Sequence, residues 1–286
     1  MSYSLAHLSD FHFANLDDDF DRGCALVDDA IEQGADHLVV TGDIADAAQM
    51  DVVRGFIRHL KGRQWATPDR LTVIPGNHDI FPISWNSLPS LRRPTSLFQE
   101  FTQATRGCRT GAERLVADGP YPFGKVLCPD VVLVGMDTTR NGQFSPLNWS
   151  EGELEEHHQE AVTEFFRLHS KAKHRIVAMH HHPWEEEIVW WGSLFEMNFT
   201  TPPPEEVDAW LRECGATLVL CGHIHQEEGI EDRRLSRRCR VLRSGTAGGV
   251  DDEADDGDKL RIYHLVELST NGRVKIIQRQ FWDSEF

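Results

Sequence analysis

Five times along this 286-residue chain a short apolar run stops abruptly at a cluster of Asp, Asn or His. Leu5-Ala6-His7-Leu8 leads into Ser9-Asp10-Phe11-His12, and His37-Leu38-Val39-Val40 leads into Thr41-Gly42-Asp43. Leu71-Thr72-Val73-Ile74 leads into Pro75-Gly76-Asn77-His78-Asp79. Further on, Arg175-Ile176-Val177-Ala178-Met179 ends in His180-His181-His182-Pro183, and Thr217-Leu218-Val219-Leu220-Cys221 in Gly222-His223-Ile224-His225. Runs of about four to six residues rich in Val, Ile and Leu read as strands buried on both faces.

Segments of helical character lie between them. Residues 20–33 place Phe20, Cys24, Val27 and Ile31 at three- and four-residue spacing before Gly34. Similar stripes cover 51–60 and 205–214, and a shorter helix is expected at 95–105. Strand–helix alternation implies an α/β layered domain, in which sites collect beyond the carboxyl ends of strands. All five polar clusters fall there.

Composition narrows the function classes. Hydrophobic residues at 40% and charged residues at 26% are ordinary globular usage, and no apolar stretch approaches a membrane span. With 29 Lys+Arg against 46 Asp+Glu, the formal net charge is −17. Surfaces that bind nucleic acid or anionic membrane are usually basic, so neither partner is favoured. The N-terminus lacks the basic and apolar regions of a signal peptide, so a cytoplasmic protein is expected. The six cysteines show no CxxC pair and read as reduced and mostly buried.

The ligand chemistry follows from residue types. Asp10 and His12 are separated by one residue, as are His223 and His225, so in extended chain each pair points to one side. Asp43, Asn77 and a histidine from 180–182 add three donors from three other strand ends. Carboxylate, amide and imidazole together suit Mn²⁺, Fe or Zn²⁺ better than Ca²⁺. Seven candidate ligands exceed one tetrahedral site but fit two ions sharing a carboxylate, about 3.5–4 Å apart, the clamp used for attack at phosphorus.

These blocks, in this order over roughly residues 5–250, resemble the calcineurin-like metallophosphoesterases. The resemblance implies a four-layer αββα sandwich with two mixed sheets flanked by helices and a dinuclear metal site at the carboxyl ends of strands. It implies one ion held by Asp10, His12 and His225, a second held by Asn77, His180 and His223, and Asp43 bridging both. The cofactors would be two divalent ions, Mn²⁺ or Fe/Mn foremost, with Zn²⁺ also accommodated. His78 would serve the leaving group, Asp79 would orient it, and the nucleophile would be a hydroxide bridging the metals. Three histidines precede Pro183, where the family shows two; counting from the strand selects His180, and counting back from the proline selects His181. The strand end fixes geometry, so His180 is preferred, with His181 left as a substrate contact alongside Arg140.

The stretch Gly135-Met136-Asp137-Thr138-Thr139, with Gly142-Gln143-Phe144-Ser145 and a helix at 151–169, is similar to the class III cyclic nucleotide phosphodiesterase branch. The expected enzyme is therefore a phosphodiesterase acting on a cyclic nucleotide or similar small phosphodiester. A nuclease of the DNA-repair branch, a phosphomonoesterase and a silent scaffold are the alternatives. A single domain over 1–286 is expected, with a proline-rich insertion at about 80–130 and a C-terminal β-hairpin at about 260–282 turning at Asn271-Gly272. The arginine-rich run at 233–243 reads as paired with acidic residues at 251–258 or as a solvated loop, the alternative being a basic strip that steers phosphate or a nucleic-acid backbone. The Trp184, Trp190 and Trp191 loop reads as packing, substrate stacking or a homodimer contact.

Overall fold

The computed structural model describes residues 2–82, 94–139, 152–183, 199–224, 233–234, 239–251 and 259–285. The first half runs β1 (Ser2–Leu8), α1 (Asp18–Glu32), β2 (His37–Val40), α2 (Met50–Gly62), β3 (Leu71–Val73) and the single-turn α3 (Asn77–Ile80). Then come α4 (Thr95–Ala104), β4 (Glu113–Arg114), β5 (Phe123–Cys128), β6 (Val131–Gly135), β7 (Gly152–Glu153) and α5 (Glu156–Leu168). The chain continues through β8 (His174–Ala178), β9 (Phe199–Thr201), α6 (Pro204–Glu213), β10 (Leu218–Cys221), β11 (Arg233–Arg234) and β12 (Arg240–Arg243). It closes with β13 (Val250–Asp251), β14 (Lys259–Ser269) and β15 (Val274–Trp282).

Two mixed sheets result. One has the order β13-β14-β1-β2-β3, with β15 also paired to β14. Its β1, β2 and β3 are parallel, Leu5 lying opposite His37 and Leu38 opposite Leu71. The other has the order β11-β12-β10-β8-β6-β5-β4, parallel from β12 to β6 and antiparallel at both edges.

Side-chain alternation sorts the core into three slabs. On β8, Ile176 and Ala178 enter the slab between the sheets while Val177 enters the slab under the helices. Strand β10 divides the same way, with Leu218 and Leu220 inward and Val219 and Cys221 outward. Leu5 and Val39 face the second sheet, whereas Leu8, Leu38 and Val40 meet Leu26, Val27, Val53 and Phe56 of α1 and α2. Helices α5 and α6 cover the far sheet through Phe165, Phe166, Val207 and Leu211. A period of two that is apolar on both faces can be satisfied only by sheets covered on both sides, hence the αββα layers.

Helix ends follow local chemistry. The Asp17 carboxylate accepts from Phe20 N at 3.4 Å at the start of α1, and Asp18, Asp19 and Asp21 complement its N-terminal dipole. Gly34 ends it at φ +84°, where a side chain would be strained. The α5 helix begins at Glu156, later than the 151 expected, because Gly152 and Glu153 pair with β9.

The stretch at 80–130, expected as an insertion, builds part of both layers in its described portion. Phe101 of α4 is fully buried in the α1–α2 slab, and β5 extends the second sheet beside β6. Buried Lys125 on β5 donates to the carbonyls of Pro68 at 2.9 Å and Leu71 at 2.6 Å, tying this edge to the other sheet. Burial brings its ammonium down to about 8. The hairpin at β14–β15 turns as expected, with Gly272 at φ +82°. None of the six cysteines is in a disulfide, and five of them are buried. Among the described residues no helix is long and apolar enough to cross a membrane.

Candidate metal centre

The loops that follow β1, β2, β3, β8 and β10 meet at one end of the sheets. Alternation first sets the β1 loop. Phe11 and Phe13 turn into the core, their ring centroids 5.2 Å apart, with Phe56 5.1 Å from Phe11. That leaves Asp10 and His12 on the opposite side. Backbone amides of Phe11 and His12 donate to the Asp43 carbonyl at 2.8 and 3.0 Å, zipping the β1 loop to the β2 loop. The His223 amide reaches the Asp10 carboxylate at 3.0 and 3.1 Å, so the β10 loop is pinned to the β1 loop.

This convergence requires unusual backbone. Asp10, His12, Asp43 and His223 all take the left-handed conformation, at φ 56°, 49°, 52° and 77°. Non-glycine residues there cost free energy and cluster where function demands a fixed geometry. Glycines supply the remaining clearance. A Cβ on Gly76 would collide with the Asp43 carboxylate, and one on Gly42 would come within 2.8 Å of His180 Nδ1. The Gly76→Ala variant is therefore expected to lose about 1–3 kcal/mol and most metal affinity together. Urea unfolding with a parallel metal titration checks this; a variant with unchanged values for both would contradict the packing argument.

The donor atoms form two groups that share one residue. Asp43, His180 and His223 bring one set of ligand atoms within 4.8 Å of each other, and His12, Asp43 and His78 another. The His180 Nδ1 lies 2.7 Å from the Thr41 carbonyl, which can only accept, so Nδ1 carries the hydrogen. Nε2 of the neutral ring is then a lone pair. It faces Asn77 Oδ1 at 2.9 Å, Asp43 Oδ2 at 3.2 Å and His223 Nδ1 at 3.2 Å. Asp43 Oδ2 is buried and has no hydrogen-bond partner among the described residues. On the other side, His12 Nε2 lies 3.8 Å from Asp43 Oδ2 and 3.9 Å from Asp10 Oδ1. Lone pairs facing lone pairs in a buried space repel unless a proton or a metal ion sits between them.

The electrostatics point the same way. Burial opposes charging His180, yet Asp43 overrides it and lifts the imidazole to about 9. His12 rises to about 10 against burial, through Asp10, Asp46 and Asp43. Burial alone would raise the Asp43 carboxyl, but His180, His78 and His12 hold it well below the carboxylate range. The cluster attracts positive charge strongly, and its mixed N/O donors fit borderline divalent ions.

His180 is the histidine that meets Asn77 and Asp43. His181 is buried against Thr138, whose hydroxyl lies 2.8 Å from its Nδ1, and its ring centroid is 4.6 Å from that of His223. Asp79 departs from the expected orienting role. Its carboxylate accepts from the amides of Ile44 at 2.9 Å, Ala45 at 3.0 Å and Gly76 at 3.0 Å. Burial and the Asp43 charge raise it to about 7. It clamps the loops that carry Asp43 and Asn77 and does not orient His78.

That position belongs to Asp46, which sequence reasoning missed. The Asp46 carbonyl lies 2.5 Å from His78 Nδ1, and its carboxylate is 3.8 Å from the same atom and 3.7 Å from His12 Nδ1. The His78 amide in turn donates to Asp43 Oδ1 at 2.8 Å. The available signal was its place three residues after Asp43, in the same loop. His225, Arg140 and the Trp184–Trp191 loop lie outside the described residues. Of the arginine-rich run, Arg243 is buried and Arg240 donates to the Val274 carbonyl at 2.8 Å, so these two do not form an exposed basic strip.

Solved structures share the fold at low identity. A dimetal phosphatase from Danio rerio superposes with TM-score 0.67 at 12% identity, over 98% of each chain. A putative 5'-nucleotidase from Staphylococcus aureus gives 0.55 at 13%, over 99% of this chain and 54% of its own. GAP50, the anchor in the inner membrane complex of Plasmodium, gives 0.53 at 13%, over 99% and 85%. No curated protein sequence matches the chain. The family description for calcineurin-like phosphoesterases matches residues 3–227, most of the length, and the chain belongs to that family.

Proposed function

We propose that the protein is a dinuclear metal-dependent phosphodiesterase acting on a small phosphodiester of the cyclic nucleotide kind. The observation that carries this reading is the pair of donor groups sharing Asp43. On this reading Asp10, His12 and His225 would hold one ion and Asn77, His180 and His223 the other, with Asp43 as the ligand shared between the two donor groups. When bound, two divalent ions supply Lewis-acid neutralisation of phosphoryl oxygens and an acidified water.

The protein groups do the rest. Loop cross-ties through Asp10 and Asp43 hold the donors before substrate arrives, so no reorganisation is needed during reaction. His78 stands at the mouth, partly exposed, with Nδ1–H donating to Asp46. That hydrogen bond assigns proton exchange with the leaving oxygen to Nε2. Buried His181, backed by Thr138, lies where it can line the substrate side of His223.

A phosphomonoesterase is the second reading, because the Danio rerio and Staphylococcus aureus proteins of this fold are described as a phosphatase and a putative nucleotidase. The net charge of −17 weighs against a nuclease. Hydrolysis of bis-p-nitrophenyl phosphate and p-nitrophenyl phosphate, with Mn²⁺ and after chelation, tests the choice. The expected result is metal-dependent diester cleavage that falls roughly 10²–10³-fold in Asn77→Ala. Monoester preference would select the second reading, and inactivity on both by metal-loaded protein would overturn the enzymatic one.

A further inference from the structure

Outside the metal centre, a second cluster of ligating side chains forms where the β4–β5 loop meets the start of α5. Asp118 of the loop and His157 and His158 of the helix each bring a ligand atom within 4.8 Å of the others. His157 Nε2 lies 3.2 Å from Asp118 Oδ2, and its Nδ1 lies 3.3 Å from Glu155 Oε2. A neutral imidazole carries one N–H, so in that state one of the two carboxylates faces a ring lone pair. A cation between them removes the clash. Two donors on one ion, at about 2.0–2.2 Å each, also stand roughly 3–4 Å apart.

The fold holds both halves of the cluster in place. Adjacent residues of a helix ordinarily diverge, yet the His157 and His158 ring centroids are 4.2 Å apart. Both sit in the first turn of α5, just after Leu154 is anchored in the core and the Glu153 amide donates to the Thr138 carbonyl at 3.0 Å. Opposite them, the Arg114 guanidinium donates to the Val116 carbonyl at 2.8 Å and to the Ala117 carbonyl. The Leu115 amide donates to the Pro122 carbonyl at 3.1 Å, so the turn carrying Asp118 is closed at its base. The amides at the start of α5 disfavour a cation, an effect that Asp118 and Glu155 offset.

We infer that Asp118, His157 and His158 form a separate zinc site, with Glu155 beside it, clipping the β4–β5 loop to α5. Two imidazoles and one carboxylate leave a fourth position for water, the composition of an open zinc site. Mn²⁺ stands lowest in the affinity order for such donors, so the cluster takes Zn²⁺ at concentrations that leave it free of Mn²⁺. Among the described residues it shares no ligand with the groups built on Asp43.

Equilibrium dialysis of the chelator-treated protein against micromolar Zn²⁺ counts bound ions per chain. Wild type is expected to bind one ion more than H157A/H158A, and Asn77→Ala to keep that ion whatever it loses at the other centre. Removing a direct ligand costs at least the roughly tenfold that removing a ligand's support costs, so Asp118→Asn should weaken the same ion by that factor or more. His59→Ala removes a histidine 3.0 Å from the Asp28 carboxylate but outside any such cluster among the described residues, and should leave the count unchanged. Circular dichroism verifies that each variant is folded. Equal counts in wild type and H157A/H158A, unchanged affinity in Asp118→Asn, or loss of an ion in His59→Ala would overturn the site. So would disappearance of the extra ion in Asn77→Ala, which would place it in the other centre.

Discussion

Replacing Asp43 with Asn is expected to lower metal-dependent phosphoester hydrolysis roughly 10³-fold while leaving the fold intact. Asp43 is the residue common to both donor groups, so its charge is the one both ions would share. A shared carboxylate contributes several kilocalories of stabilisation to the ions and hence to the transition state, and each ~1.4 kcal/mol is tenfold in rate. Asn keeps the volume and the Oδ1 that accepts from the His78 amide, so the loop geometry survives. It removes the negative charge that raises His180 and His12. Steady-state kinetics at saturating Mn²⁺, with circular dichroism as the folding control, measure the effect. A variant within tenfold of wild type would remove Asp43 from the bridging position.

The protein is also expected to unfold in mild acid, because it buries several neutral histidines away from the metal centre. His37 is fully buried, its Nδ1 donating to the Asp69 carbonyl at 2.8 Å and its Nε2 accepting from the Thr72 hydroxyl at 2.9 Å. Burial, with Lys125 nearby, pushes it down to about 3. His7 is likewise driven to about 3 by burial and by His264, and burial takes His264 to about 4. Each folded-state value lies below the ordinary 6.5, so between pH 6.5 and about 3–4 the unfolded chain binds protons that the native state refuses. Stability is complete above pH 6.5 and falls as pH drops, by about 1.4 kcal/mol per unit for each histidine. Three such groups give roughly 4 kcal/mol per unit, against a typical total of about 5–15 kcal/mol. Urea titrations at pH 7.5, 6.0 and 5.0 should show this slope, and His37→Gln should reduce it by about one proton's worth. A slope unchanged in that variant would contradict the burial of a neutral ring.

Much of the architecture was legible because the sequence states it twice. Apolar runs such as 218–221 carry no polar residue on either face, which only a doubly covered sheet tolerates, and each ends at a residue with a metal-binding side chain. The ligand blocks were readable for the same reason, since His180 and His223 sit two residues beyond β8 and β10 and Asn77 four residues beyond β3. Strand β5 was not readable: Phe123-Gly124-Lys125 lacks a clean alternation, and its lysine is buried only because two carbonyls from a neighbouring loop and strand accept from it. Nor could sequence reveal that Asp46 backs His78 while Asp79 clamps three amides. Both are carboxylate residues near a histidine, but Asp46 reaches the ring through its backbone carbonyl, which no side-chain pattern announces.

Metal stoichiometry tests the central claim most directly. Isothermal titration of chelator-treated protein with Mn²⁺ should give two bound ions per chain in the wild type and fewer than two in Asp43→Asn. A wild-type protein that binds one ion or none, or a variant that still binds two with unchanged affinity, would contradict a dinuclear centre built on Asp43.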